Sequence, residues 1–173
     1  MKTILFIGYS SSGKTTTLTT VARALKRRKE KFATIKHIHH KDFAIDTPGK
    51  DTWLHAAAGA SIIGILAPRE LTVIWKRDTT KMKLDFIIGM LRREKVGYIL
   101  VEGLHRKLSS RRGVITVLCA ASETDARSFL NSTQRKPVCI VGKFAKGRSG
   151  ESFFDVPLLE LPKDISRFMS LVS

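Results

Sequence analysis

GYSSSGKT, residues 8–15, has the spacing G-x-x-x-x-G-K-[ST]. In that arrangement glycines let consecutive backbone N–H groups fold into a nest around the phosphates of a nucleoside triphosphate, and the lysine reaches the outer phosphates. The spelling carries weight only in the right setting. A short apolar run at residues 3–7, TILFI, reads as a strand, and Leu18, Val21, Ala22 and Leu25 recur at helical spacing after the loop. Strand, glycine loop and helix in that order define a P-loop. Gly8, Tyr9, Ser10, Ser11, Ser12, Gly13, Lys14, Thr15 and Thr16 are then the nucleotide-binding candidates. The bland reading is a tight turn that keeps the spelling without the ligand. It competes poorly, because a chance match in a chain this long is on the order of one in a hundred.

Outward from the loop, strand-like apolar runs fall at residues 32–38, 61–67, 71–76, 98–101, 114–119 and 137–142, with helical patterns between most of them. Leu84, Ile87, Ile88 and Leu91 line one helical face. Residues 122–131 open with Ser-x-x-Asp as a cap, and Pro162 is expected to start a last helix carrying Ile165, Phe168, Met169 and Val172. Strands alternating with helices predict an α/β fold, a P-loop NTPase three-layer sandwich with a mainly parallel sheet. Pro68, Arg69 and Glu70 are too few for a crossover, so 61–67 and 71–76 should form an antiparallel hairpin. With 173 residues, 43% of them hydrophobic, the expectation is a single P-loop nucleotide-binding domain over residues 1–173, able to bury a core without disulfide or metal. No repeat, linker or low-complexity tract appears, and the apolar start is too short for a secretory signal. No run approaches the roughly 20 apolar residues that span a bilayer, so no membrane partner is expected. Cys119 and Cys139 sit in apolar runs without metal-ligand spacing. They read as buried, reduced thiols, which fits a cytoplasmic protein.

The chain holds 31 Lys and Arg against 15 Asp and Glu, a net charge of +16. One basic group, Lys26, Arg27, Arg28, Lys29 and Lys31, with Arg92, Arg93 and Lys95, falls at predicted helix ends, where cations complement the helix dipole without any ligand. A second group, Arg106, Lys107, Arg111, Arg112, Lys143, Lys146 and Arg148, follows predicted strands and belongs to the P-loop rim, where an anionic ligand or an acidic partner face would bind. Residues 104–114 hold no Phe, Tyr or Trp on which a base could stack, so nucleic acid is not the expected partner.

A bound triphosphate calls for magnesium. Thr15 supplies a hydroxyl ligand, and an acid at the end of a neighbouring strand supplies or orients another. Glu102 in YILVEG, residues 98–103, fits that place, with a structural acid as the plain alternative. His37, His39 and His40 suggest a metal site by count, yet on a strand end His37 and His39 share one face while His40 points away, which favours a structural or phosphate-facing role. Asp42 and Asp46, in the loop after the second strand, are candidates to reach the magnesium or the attacking water, or are solvated loop acids. Lys14, Asp42 and Asp46 are the catalytic candidates, and Thr15, Glu102 and Asp46 the metal candidates. Asp51 reads as the cap of a helix ending at Gly59.

The P-loop with its doubled Thr, KHIHH at residues 36–40 running into IDTPGKD at 45–51, the following AGA at 58–60 and VEG at 101–103 resemble the molybdopterin-guanine dinucleotide biosynthesis adapter, or MobB, family over residues 3–106. The middle segment is the specific element. The chain departs from the family pattern in the extra Lys41 before Asp42, in Ala58, and in Leu104, His105 and Arg106 after VEG. The resemblance implies a GTP-binding protein with weak, magnesium-dependent GTPase activity, commonly a homodimer. It also implies assistance to the molybdopterin guanylyltransferase of molybdenum cofactor biosynthesis and contact with other molybdenum cofactor enzymes. Guanine preference does not follow from spacing, since no N-K-x-D is present and NSTQ at 131–134 lacks its Lys and Asp; the loop KFAKGRSG, 143–150, is the positional candidate for the base, with Gly147 and Gly150 suggesting mobility. A P-loop kinase of a small molecule or polynucleotide and a metallochaperone-type GTPase are the alternatives.

Overall fold

The computed structural model describes every residue except Lys41, Lys81 and Lys83, and of Arg106 and Lys107 it describes the backbone alone. The departure read at Lys41 therefore lies outside the described residues. Contacts divide the chain into two compact units, one of Met1–His37 with Met90–Ser173 and one of Ile38–Gly89.

The first unit is built on a five-stranded sheet in the order β2-β5-β1-β6-β7, with β1 Lys2–Ile7, β2 Phe32–Lys36, β5 Tyr98–Glu102, β6 Val114–Cys119 and β7 Cys139–Val141. Every pairing in it is parallel. β1 lies between β5 and β6 and is apolar along almost its whole length, as a strand covered on both faces must be. Ile4 and Phe6 of β1, Leu100, Val117 and Val141 form one core with α1 Lys14–Arg27 and α6 Ile165–Leu171, through Leu18, Val21, Leu25, Phe168 and Met169. Leu5 and Ile7, one step out of phase, are equally buried. Ala126 and Phe129 of α5 Glu123–Ser132 and Leu108 of α4 His105–Leu108 are buried as well. The expected sandwich with a mainly parallel sheet is thus present. Cys119 and Cys139 are free and buried, and burial pushes the Cys119 thiol up to about 12 and raises that of Cys139 further.

The second unit holds α2 Asp51–Ala57 and the antiparallel hairpin of β3 Ile62–Ala67 and β4 Glu70–Trp75, closed by the two residues Pro68 and Arg69. The hairpin is a two-stranded sheet of its own. α3 Leu84–Arg93 runs from this unit into the first and ends on Arg92 and Arg93, as α1 ends on Lys26 and Arg27, each pair in the last turn.

Several boundaries differ from the sequence reading. β2 stops at Lys36, so His37 and His39 do not share a strand face. Asp51 is the first helical residue of α2, not its cap; Lys50 takes the cap position in extended conformation without a side-chain bond. Ser122 does cap α5, accepting from Asp125 N at 3.2 Å. Pro162 lies in a turn after a cis peptide, and α6 begins three residues later behind Asp164. Further elements escaped the reading: α4, a single turn, a 3-10 turn at Lys143–Ala145, and a small hairpin of β8 Ser152–Phe153 and β9 Val156–Pro157. None is long enough to display a period.

Candidate functional site

The P-loop geometry follows from the way β1 ends. Gly8 has φ +149°, and a Cβ there would stand 2.2 Å from Cys119 O and 2.4 Å from Ser12 Oγ, so only glycine passes between β6 and the returning loop. Ser11 and Gly13 take left-handed conformations, Ser12 N donates to Tyr9 O at 3.3 Å, and α1 starts at Lys14 with Gly13 as its cap residue. The N-terminal N–H groups of a 14-residue helix, with no acid in its first turn, point at the loop's concavity. Such an end is suited to an anion.

Ser10, Ser11, Gly13, Lys14, Thr15, Thr16 and Glu102 line a cavity of about 370 Å³. Its lining, the glycine loop, the first turn of α1 and Glu102, suits a phosphate chain. Lys14 Nζ folds over the loop and donates to the carbonyls of Gly8 at 3.0 Å and Tyr9 at 2.5 Å. Thr15 Oγ1 donates to both carboxylate oxygens of Glu102 at 3.0 Å. The register Phe6↔Glu102 of β1 and β5 brings them together across 87 positions of sequence. The Glu102 side chain is only 13% exposed and pairs with Lys36 Nζ at 3.5 Å. Lys36 is directly opposite Glu102 in the β2–β5 register, a contact that strand alignment fixes and sequence reasoning missed. Ser12 Oγ is buried and has no hydrogen-bond partner among the described residues.

The hydroxyl of Thr15 and the carboxylate of Glu102 are hard oxygen donors already in contact, a set that fits magnesium. Glu102→Gln keeps the shape and removes the charge. The expected result is a nucleotide affinity that no longer responds to magnesium, measured by titration with and without EDTA; an unchanged response would displace Glu102 from the site.

The loop is also latched from the side. Tyr9 OH lies 2.9 Å from Ser128 Oγ, its ring packs edge-on against Phe129 at 4.6 Å, and His105 meets the same Phe129 at 6.2 Å. These α5 contacts had no signal in sequence beyond the aromatic character of Tyr9. Gly142, with φ +101°, lets the end of β7 approach the P-loop so closely that a Cβ would be 2.6 Å from Ala120 O and 3.0 Å from Ser12 O. The following loop, expected to be mobile, is tied by Gly147 N to Glu160 Oε2 at 3.1 Å and by Arg148 to Glu151 at 2.8 Å, and the Arg148 guanidinium lies over Phe144 at 4.6 Å.

Asp42 and Asp46 belong to the other unit. Asp46 Oδ1 accepts from Thr47 N and Thr52 Oγ1, both at 2.9 Å, while Oδ2 is buried without a partner among the described residues. Among the described residues no three His, Cys, Asp or Glu side chains converge as a metal-holding group. Lys143, Lys146 and Arg148 follow β7, at the edge of the parallel sheet where the P-loop leaves β1, but Arg111 and Arg112 do not belong to that rim: α4 carries the chain back after β5, and the two arginines stand just before β6, whose Val114 is in register with Thr3 at the opposite end of β1. The side chains of Arg106 and Lys107, read as part of that rim, lie outside the described residues. No helix among the described residues is long and apolar enough to cross a membrane.

Residues 3–138 match the protein family described as Molybdopterin guanine dinucleotide synthesis protein B, MobB. A molybdopterin-guanine dinucleotide biosynthesis adapter protein of Haemophilus influenzae is 36% identical over 100 residues, 58% of this chain and 55% of that protein. Its counterpart in Escherichia coli is 33% identical over 101 residues, 58% of this chain and 57% of the relative. The matched region thus spans little more than half the length of these curated relatives. In three dimensions the chain is similar to the crystal structure of Bacillus subtilis MobB, with a TM-score of 0.75 at 18% identity, covering 100% of this chain and 99% of that one. A MobB homolog from Bacillus stearothermophilus gives 0.68 at 20% identity, covering 99% and 98%.

Proposed function

Since the chain belongs to the family of Molybdopterin guanine dinucleotide synthesis protein B, we propose that it binds GTP with magnesium on its P-loop and serves as an adapter in molybdopterin guanine dinucleotide biosynthesis. The observation that carries the reading is the meeting of Lys14, Thr15 and Glu102 around the mouth of a glycine-bounded anion nest. In this reading the N–H groups of residues 8–16 hold the phosphates, and Lys14 leaves the Gly8 and Tyr9 carbonyls to bind the outer phosphate oxygens. Thr15 and Glu102 hold the ion, whose charge offsets that of the phosphates. Lys36, paired with Glu102 across the β2–β5 register, holds that carboxylate in place.

Turnover is slow at most, and the protein presents its nucleotide, as a homodimer, to a molybdopterin guanylyltransferase. Fast hydrolysis needs a residue that orients water and a cation that stabilises the transition state, the latter worth ~10³ to 10⁵ in rate. Asp42 and Asp46 are the candidates for the first by sequence position, and Asp46 also stays in the proposal as a metal ligand. The whole chain is taken as one nucleotide-binding domain located in the cytoplasm.

The test is thermal. A ligand that binds only the folded state adds about 2.7 kcal/mol of stability at a hundredfold excess over Kd. GTP with magnesium should raise the melting temperature more than ATP with magnesium does. Equal shifts would remove the guanine assignment, and the absence of any shift would remove the site.

A further inference from the structure

The end of the first unit opposite the P-loop is more basic than its helix ends require. In a parallel sheet all strands start at one edge, and here each starts on a cation. Lys2 opens β1, and Lys31, Lys95, Arg112 and Lys136 stand within three residues of the starts of β2, β5, β6 and β7. Register keeps these starts level, with Lys2 opposite Tyr98, Thr3 opposite Val114, and Val138 N donating to Thr116 O at 2.8 Å. The segments that enter the strands, residues 1–3, 26–32, 92–98, 109–114 and 133–138, hold thirteen of the chain's 31 Lys and Arg but only two of its 15 acids, Glu30 and Glu94. Most of the net charge of +16 is therefore gathered at one end of one unit.

Helix dipoles account for part of this charge. The last turns of α1 and α3 carry their cations where a helix end favours them without any ligand. α5 has no basic residue in its last turn, and Arg135 and Lys136 lie beyond it. Arg111 and Arg112 follow the four-residue α4, whose single turn collects little dipole. Arg135 Nη1 donates to Arg111 O at 3.5 Å, so two arginine-bearing turns are held side by side. Cations one strand spacing apart, ~4.8 Å, are closer than the ~8 Å Debye length and repel each other in the free protein. An anion that spans the row offsets that repulsion.

We infer that this end binds the phosphate backbone of a nucleic-acid duplex without reading its bases, a function separate from the P-loop and from the proposed adapter role. The sequence argument against nucleic acid concerned residues 104–114 as part of the P-loop rim, and the structure moves Arg111 and Arg112 to this opposite end. The five strand starts span roughly 19 Å, a length over which a duplex carries on the order of ten phosphates. Arg93, Arg112 and Arg135 are exposed, and guanidinium forks match phosphate oxygens. Other polyanions fit less well. A protein partner's face is expected to meet an apolar centre, yet Val96 and Tyr98 are buried and Lys2 Nζ lies over the Tyr98 ring at 5.9 Å. A bilayer grips faces that also insert apolar side chains, and among the described residues of these segments Met1 is the one large apolar side chain exposed. Phe154, exposed beside Lys136, lies under the Arg127 guanidinium at 5.0 Å, so its face is not open for a single-stranded base to stack on.

The experiment is fluorescence anisotropy of labelled DNA duplexes of about 20 base pairs in two unrelated sequences, titrated with the full chain between ~50 and 200 mM salt. Neither nucleotide nor magnesium is added, so the result does not depend on the P-loop. The expected outcome is micromolar affinity at ~150 mM salt, equal for the two sequences within about threefold, with a log–log salt slope of about −4 or steeper. Arg93→Ala, Arg112→Ala and Arg135→Ala combined should weaken binding at least about tenfold and flatten the slope by nearly one unit per residue. All three side chains are exposed, so the melting temperature should hold. Lys50→Ala, Arg69→Ala and Lys76→Ala combined remove the same charge from the second unit and should alter binding less than about threefold. Absence of duplex binding, a flatter slope in the parent, a marked preference for one sequence, or equal losses in the two triple variants would each overturn the inference. Vesicles of phosphatidylcholine with and without phosphatidylserine form the second arm. Binding to the anionic vesicles that exceeds duplex binding and is lost with the three arginines would overturn it too, in favour of a membrane surface.

Discussion

Lys14→Ala should lower triphosphate affinity by ten- to a hundredfold while leaving the fold intact. The side chain is half-exposed and spends its charge on two carbonyls of its own loop, Gly8 at 3.0 Å and Tyr9 at 2.5 Å. No packed group depends on it, so circular dichroism and the urea midpoint should hardly move. A phosphate would take the place of those carbonyls and make a charge-assisted bond worth roughly 1.5 to 3 kcal/mol, which sets the predicted range. Lys14→Arg should recover little, because a forked guanidinium cannot occupy the position of a compact ammonium folded over a tight turn. Titration with a fluorescent GTP analogue decides the matter, and affinity equal to the parent's would remove Lys14 from the site.

Gly8→Ala should act in the opposite manner, through the fold. The added Cβ meets Cys119 O at 2.2 Å and Ser12 Oγ at 2.4 Å, and φ at +149° is already forbidding to an L side chain. Cys119 ends β6, whose Leu118 is in register with Ile7, so the obstructing atom belongs to the central sheet and cannot swing aside. Overpacking of this kind costs typically 1–3 kcal/mol, and a strained backbone adds ~1–3 kcal/mol more. A loss of about 3 kcal/mol or more is expected in urea unfolding, together with loss of nucleotide binding. Gly13→Ala is the comparator: nothing lies within 4 Å of its Cβ, so only the left-handed penalty of ~1–2 kcal/mol applies. If Gly8→Ala were as stable as Gly13→Ala, the close approach of loop and β6 would be wrong.

The amino-acid sequence by itself determined the features that rest on local physics. Residues 3–27 read as strand, loop and helix because apolar runs, glycines and helical spacing all act within a few positions of one another. The β3–β4 hairpin was legible because Pro68 and Arg69 leave no room for a crossover, and the α5 cap because Ser122 bonds a residue only three positions on. Asp51, Pro162 and the end of β2 were misjudged by one to three positions, where Lys50, Asp164 and the chain's departure at His37 settled the ends. α4 and the β8–β9 hairpin were invisible, since elements of two to four residues show no period and are held by their surroundings.

Only the tertiary structure decided how the site is assembled. Glu102 stood out as an acid after a strand, but its bond to Thr15 and its pairing with Lys36 depend on β5 lying between β1 and β2 in a fixed register. The hold of Ser128 and Phe129 on Tyr9, and the approach of Gly142 to Ser12, likewise come from distant segments. The same holds for the hairpin's exposed face. Alternation in sequence shows that β3 and β4 are apolar on both sides, and only the packing of Ile63 reveals which side is left without cover. Propensity and periodicity are sums over neighbours in the chain. Which strand lies beside which, and which face turns inward, is set by the burial of the whole molecule.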